Sequence, residues 1–162
     1  MKIDVVILTK NSCSRIGEGM FRKCIASIKK NIPVNNLIVI DAFSSDNTIK
    51  IIKEYFPDAL IIETRAKRGK AREIGIKKVS TDYFMFVGSD IIVPKDYFKK
   101  VLEKLESDRI GAIGGVAIPT DLTLWRIYYC QQILRLQKEV VHIDGNNVII
   151  KTSCVSDRYI DP

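Results

Sequence analysis

Four polar clusters in this 162-residue chain each follow a short apolar run. Thr9-Lys10-Asn11 follows Val5-Val6-Ile7-Leu8, Asp41 follows Leu37-Ile38-Val39-Ile40, Glu63 to Lys70 follows Leu60-Ile61-Ile62, and Gly88-Ser89-Asp90 follows Tyr83 to Val87. A further polar stretch, Asp144-Gly145-Asn146-Asn147, interrupts an extended segment near the end of the chain. Cations concentrate beside these clusters: Arg65, Lys67, Arg68, Lys70 and Arg72 fall within eight positions. Carboxylates at Asp41 and Asp90 set among such cations suit a nucleoside diphosphate. One acid can hold the base or ribose while the other takes a divalent metal that bridges the phosphates.

Other chemistries are poorly supported. Gly17-Glu18-Gly19 begins a GxGxxG but has Arg22 where the third glycine belongs, and GxxxxGK[ST] does not occur, so neither a dinucleotide fingerprint nor a P-loop is present. His142 is the only histidine, which leaves histidine-based metal clusters and a Ser-His-Asp triad without material. Cys13, Cys24, Cys130 and Cys154 form no CxxC pair and read as reduced thiols, mostly in the core. The excess of 26 Lys and Arg over 19 Asp and Glu, +7, invites nucleic acid, an anionic surface or a phosphorylated small molecule. Much of it is carried by lysines on helix faces, where solvated charge is expected, and no nucleic-acid motif or aromatic platform accompanies it. No nucleic acid partner is expected.

The elements that must position the polar clusters can be read from periodicity. Short continuous apolar runs alternate with amphipathic segments, the pattern of α/β layers with a mostly parallel sheet. Phe21, Cys24, Ile25 and Ile28 fall at i, i+3, i+4 and i+7 and predict a helix packed on that sheet. Ser44 to Thr48 supplies capping chemistry for a second helix through Ile51, Ile52 and Tyr55. A third runs through Ala71, Ile74, Gly75 and Val79, and a fourth has Pro94 in its first turn and continues to Leu105. A strand is expected from Gly111 to Ile118, a helix from Thr123 to Lys138 around Trp125, and extended chain from Val140 to Lys151. Ligands of such sheets bind outside the carboxyl ends of the strands, where the polar clusters lie. Length predicts a single domain over residues 1–162. The apolar runs are far shorter than the ~20 residues needed to cross a bilayer. Cytoplasmic residence is the default expectation, with the Trp125 segment offering peripheral contact at the inner face of a membrane.

The residues resemble the family 2 glycosyltransferases of GT-A fold, including the dolichyl-phosphate mannose synthase-like enzymes. Val5 to Asn11 looks like the family's opening strand and "PTxN" turn, and Leu37 to Thr48 resembles "IIVVDDGSTDGT". Lys67 to Gly75 is similar to "NRGxxxARNxG", Asp82 to Asp90 to "DYILFLDAD", and Asp144 to Lys151 to the "GxNxxIRR" segment. The resemblance implies a Rossmann-like, mostly parallel sheet flanked by helices, with a nucleotide-sugar-binding part over residues 1–118 and the start of an acceptor-side part over 119–162. It implies that Thr9, Asn11 and Asp41 hold the nucleoside, that Arg68, Lys70, Arg72 and Ser89 lie beside the nucleotide sugar, and that Asp90 reaches a divalent metal, Mg2+ or Mn2+. Asn146 and Asn147 fall on the acceptor side.

By the same resemblance the activity is inverting transfer of a sugar from a UDP- or GDP-linked donor to a glycan or lipid-phosphate acceptor. Departure of the nucleoside diphosphate is aided by a bridging cation, and a general base activates the acceptor hydroxyl. The pattern departs from the family at three places. Ala42 stands for the second acid after the second strand, Gly88 for the first acid of the DxD triplet, and the acidic pair that carries the base lies beyond the GxN segment. Asp157 and Asp161 lie in that region without the surrounding pattern, and neither is assigned as base; the chain is expected to stop short of the base region. These departures keep open a second reading, an accessory protein that binds nucleotide sugar without turnover.

Overall fold

The computed structural model describes residues 1–105, 110–115, 124 and 146–155. Strands β1 (Ile3–Thr9), β2 (Val34–Asp41), β3 (Leu60–Glu63), β4 (Tyr83–Val87), β5 (Ala112–Gly114) and β6 (Asn147–Lys151) form one sheet in the order β3-β2-β1-β4-β6-β5. The first four in that order are parallel, and β6 runs antiparallel to both β4 and β5. Helices α1 (Ser12–Ile16), α2 (Glu18–Asn31), α3 (Thr48–Tyr55), α4 (Arg68–Ile76) and α5 (Tyr97–Leu105) complete the layers. The order reverses at β1, whose neighbours β2 and β4 are reached in opposite directions, and a crevice opens there at the carboxyl ends.

The strands are apolar on both faces because helices cover both faces. Ile3, Val5, Ile7, Leu37, Val39 and Met85 pack with Phe21, Ile25 and Ile28 of α2, Ile51 and Ile52 of α3, and Val101 and Leu105 of α5. The alternate residues Val6, Ile38, Ile40, Phe84, Phe86 and Val148 pack with Ala71 of α4. Helix α4 lies flush on the sheet at Gly75, where a Cβ would fall 2.5 Å from Val6 Cγ1 and 3.4 Å from Ile40 Cγ1.

Asp4 is the one acid inside β1 and is fully buried. Its Oδ1 accepts from Asn35 Nδ2 at 2.9 Å and from the Asn36 amide nitrogens of backbone and side chain, each at 3.1 Å. Its Oδ2 accepts from the Ser80 backbone N–H at 2.6 Å and the Ser80 hydroxyl at 3.0 Å. Burial opposes its charge, but the hydrogen bonds from Ser80, Asn35 and Asn36 outweigh burial and hold the carboxyl below its ordinary value. The amino-terminal ends of β1 and β2 and the turn before β4 are thereby joined through one carboxylate.

Several boundaries differ from the periodicity reading. Helix α1 was not anticipated, because its five residues are too few to show a stripe. Helix α5 begins at Tyr97 rather than around Pro94, since Asp96 sits at φ 62° and a helix cannot run back through that conformation. Helix α4 ends at Ile76, after which Lys78 and Val79 bond to carbonyls three residues back and tighten the last turn, while Val79 still packs on the sheet. Of the strand expected over 111–118, Ala112–Gly114 is formed and 116–118 lie outside the described residues. The segment expected as a helix over 123–138, with Trp125 and Cys130, lies outside them apart from Leu124, as do His142 and Asp144. Cys13 and Cys24 are buried and free, whereas Cys154 is exposed. Among the described residues no helix is long and apolar enough to cross a membrane.

Two substitutions test this frame. Gly75→Ala should lower stability by about 1–3 kcal/mol in denaturant unfolding, because Val6 is a short, packed side chain with nowhere to move. Asp4→Asn should cost roughly 2–3 kcal/mol, since an amide nitrogen would then face the Ser80 donors. Asp4 has a depressed pKa, so its contribution is complete above the ordinary value near 3.8 and is lost as pH falls through and below it. Acid titration of the unfolding midpoint should therefore show a smaller loss below pH ~4 in the variant than in the wild type.

Candidate functional site

Two loops at the carboxyl ends of β1 and β2 are interlocked around Asp41. Its carboxylate is fully buried and accepts the Thr9 hydroxyl at 2.6 Å, the Ser44 hydroxyl at 2.6 Å and the Ser44 backbone N–H at 2.6 Å. Ser44 Oγ in turn accepts the Asn11 N–H at 2.8 Å, and Asn11 Oδ1 accepts the Ser45 N–H at 2.8 Å. Asp46 reaches both helices that leave these loops: Oδ1 accepts the Thr48 N–H of α3 at 3.0 Å and Oδ2 the Ser14 N–H of α1 at 2.8 Å. Burial works against its charge, yet the hydrogen bonds from Thr48 and Ser14 bring its pKa down to about 2. Two backbone positions in this knot are left-handed, Asn11 at φ 46° and Phe43 at φ 55°. Asn tolerates that conformation, whereas a bulky Phe adopts it at a cost of about 1–2 kcal/mol.

A cleft of about 130 Å³ opens beside the knot, between the ends of β1 and β4. Its walls include Leu8, Arg15, Arg68, Arg72, Phe86 and Gly88 to Asp90, with Asn146 closing the far side. Arg15 comes from α1, Arg68 and Arg72 from the start of α4, and Asn146 from the residue before β6. The Arg72 guanidinium lies 5.7 Å from the Phe86 ring centroid, and its Nη2 donates to Asn146 Oδ1 at 3.4 Å. Three arginines thus line the cleft together with one exposed acid, Asp90, a balance of charge that favours an anion.

The floor of the cleft is the Gly88-Ser89-Asp90 triplet. Gly88 N–H donates to the Asn146 carbonyl at 2.7 Å, and the Gly88 carbonyl accepts from Ile91 N–H at 3.1 Å and the Cys24 thiol at 3.5 Å. Burial pushes the Cys24 thiol up to about 12, so it serves as an unreactive prop beneath the triplet. A Cβ at position 88 would lie 2.7 Å from Asp90 Oδ1. The Asp90 carboxylate folds back over the glycine, into the space that a first acid would need.

The residues singled out from sequence fall into three groups. Arg68, Arg72, Ser89, Asp90 and Asn146 meet in the cleft. Thr9, Asn11 and Asp41 form the adjoining knot. Lys70 and Asn147 stand apart from both: Lys70 is ion-paired to Glu73 at 2.8 Å on the outer side of α4, and Asn147 is buried in β6, with Gly115 close enough that a Cβ there would fall 2.3 Å from Asn147 Nδ2. Arg15 is the lining residue that sequence reading passed over. It stands six residues beyond Thr9, and only the short helix α1 turns it back toward the sheet.

The pattern of glycosyl transferase family 2 matches residues 4–155. Over 84 residues, 49% of this chain and 20% of the relative, the sequence is 34% identical to a poly-beta-1,6-N-acetyl-D-glucosamine synthase of Staphylococcus aureus. The fold is similar to that of a mannosyltransferase from Pyrobaculum calidifontis in complex with GDP-Man and Mn2+, with a TM-score of 0.68 at 17% identity over 93% of this chain and 45% of that one. It is similar also to glucosyl-3-phosphoglycerate synthase from Mycobacterium tuberculosis in complex with Mn2+ and UDP-Glc, with a TM-score of 0.64 at 21% identity over 94% and 56% of the two chains. The chain spans about a fifth of the length of the synthase and about half of the two solved structures. With a match over nearly its whole length and the layered α/β sheet behind it, the chain belongs to glycosyl transferase family 2.

Proposed function

We propose that this chain is the nucleotide-sugar-binding part of an inverting glycosyltransferase, with the donor bound across the β1/β4 crevice and the acceptor-side part beginning near residue 119. The observation that carries the reading is the arginine-lined cleft at the carboxyl ends of the parallel strands, beside the loops knotted around Asp41. Arg15, Arg68 and Arg72 bind the diphosphate and stabilise the negative charge that grows on it as the bond to the anomeric carbon breaks. The Asp41 knot fixes the loops of Asn11 and Ser44 to Ser45 against the nucleoside. The acceptor, a glycan or a lipid phosphate, approaches from the Asn146 side.

Asp90 fits a divalent cation under one condition. Mg2+ and Mn2+ are commonly held by one or two carboxylates together with substrate phosphates. Among the described residues no group of three His, Cys, Asp or Glu side chains is arranged to hold a metal without such help. Asp90 would hold such a cation together with the diphosphate, and a cation bound there would supply Lewis-acid stabilisation of the leaving group. Three neighbouring guanidinium groups disfavour a cation that arrives alone.

The accessory reading, binding without turnover, is favoured by Gly88 at the first position of the triplet and by Asp90 being the one carboxylate that lines the cleft among the described residues. The two readings share a donor site and differ in chemistry.

Calorimetric titration of the purified chain with UDP and GDP, with Mn2+ or with a chelator, tests the donor site. Binding is expected in both conditions and tighter with Mn2+, while Mn2+ without nucleotide gives no binding heat. Asp90→Asn should remove the gain from Mn2+ without weakening the chelated affinity, since it also removes a negative charge beside the phosphates. Arg15→Ala should weaken binding about tenfold in both conditions, as loss of one charged hydrogen-bonding partner implies. No nucleotide binding with Mn2+ present would overturn the donor-site reading. Release of UDP or GDP from sugar nucleotides, offered with glycan and lipid-phosphate acceptors, separates transferase from accessory binder.

A further inference from the structure

Phe43 is at odds with both its backbone and its surroundings. The backbone at this position has φ 55°, a conformation that glycine adopts freely and that L residues with large side chains rarely do. The motif that Leu37 to Thr48 resembles has glycine there, and the chain keeps the glycine geometry while carrying a phenyl ring. The ring is not used for packing, since half of its surface is exposed. It belongs to neither of the two core clusters. Its recorded partner is the Arg65 guanidinium, 5.5 Å from the ring centroid. Strain without burial calls for a role outside the core.

Its place in the fold indicates what that role is. Phe43 lies two residues after Asp41 and next to Ser44, inside the knot at the carboxyl end of β2. Arg65 lies two residues after the end of β3, and three residues before Arg68, which lines the diphosphate cleft. A nucleotide with its phosphates on Arg68 and Arg72 and its ribose at the Asp41 knot would direct its base toward the β2/β3 end of the rim. An exposed aromatic ring fixed from one side by a guanidinium is a stacking platform for a flat heterocycle. We infer that Phe43, held by Arg65, stacks against the nucleobase of the bound nucleoside diphosphate and so contributes to its affinity. This inference rests on the donor-site reading above and adds to it the residue that touches the base.

The test compares Phe43→Gly, which suits the left-handed backbone and should fold at least as stably as the wild type, with Phe43→Trp, which keeps a stacking surface. Each is titrated calorimetrically with UDP, with GDP and with inorganic pyrophosphate, which has no base, all in the presence of Mn2+. Stacking on one aromatic side chain predicts about tenfold weaker binding of UDP and GDP to Phe43→Gly, with pyrophosphate unchanged. Phe43→Trp should bind the nucleotides within about threefold of wild type. Equal nucleotide affinity in wild type and Phe43→Gly would overturn the stacking role while leaving the donor site intact. A parallel loss of pyrophosphate binding would also overturn it, by showing that Phe43 acts on the shape of the loop. Failure of wild type to bind any nucleotide would overturn both this inference and the reading on which it rests.

Discussion

The buried Asp41 carboxylate is the interaction on which the rest of the rim depends. Taking a charge wholly out of water is costly unless it is hydrogen-bonded, and Asp41 reaches that condition only when Thr9 and Ser44 converge on it from two different strand ends. The consequence is mutual. Once Ser44 is fixed, its hydroxyl accepts Asn11 N–H, Asn11 accepts Ser45 N–H, and the geometry of one loop dictates that of the other. Asp46 extends the coupling by serving the first turns of α1 and α3 together, so both helices depart in fixed directions. Arg15 owes its place in the cleft to this arrangement, because α1 is too short to hold a direction by itself.

The opposite wall is set by a different physical device. Helix α4 approaches the sheet until Gly75 leaves no room for a methyl group, and that contact places its amino-terminal turn over the ends of β1 and β4. Arg68 and Arg72 are one turn apart on the helix and therefore share a face. Phe86 then supports Arg72 from the sheet side, its ring lying beneath the guanidinium that lines the cleft. An anion site assembled in this way draws on two layers of the fold, and neither layer alone would present all three guanidinium groups.

Much of this was legible in the sequence for a simple reason. Parallel strands covered on both faces must be continuously apolar, so β1, β2 and β4 stand out, and whatever polar residues end them are carried to the same rim. By that rule Asp41, Asp90, Arg68 and Arg72 stand out in the sequence, and all four lie at the carboxyl ends of the strands. Arg15 does not stand out, because a five-residue helix has no periodicity to detect. Phe43 is hidden for the opposite reason: only the backbone reveals that a large residue stands at a left-handed position suited to glycine. Lys70 shows a limit of a different kind. Proximity in sequence to Arg68 and Arg72 suggested a shared role, yet the helix turns it toward Glu73 and away from the cleft. Pro94 looked like a helix start until the left-handed Asp96 moved that start to Tyr97.

The antiparallel β6 gives the site its remaining constraint. Because β6 enters the sheet beside β4 from the carboxyl end, Asn147 pairs with Val87 at the rim, and the residue before it must lie over the Gly88 triplet. The Asn146 carbonyl takes the Gly88 N–H, while its side chain takes a hydrogen bond from Arg72. A parallel strand in that position would have brought its first residue to the far end of the sheet, some five residues away from the cleft at ~3.3 Å each. Among the described residues, β6 thus brings the chain back to the cleft by reversing direction. Gly88 adapts to that return. With Asn146 Cβ 3.5 Å from where its own Cβ would stand, and Asp90 Oδ1 closer still, the smallest residue lets β6 and the Asp90 carboxylate meet over the same backbone atom. A glycine at the first position of the triplet is the steric counterpart of that close meeting.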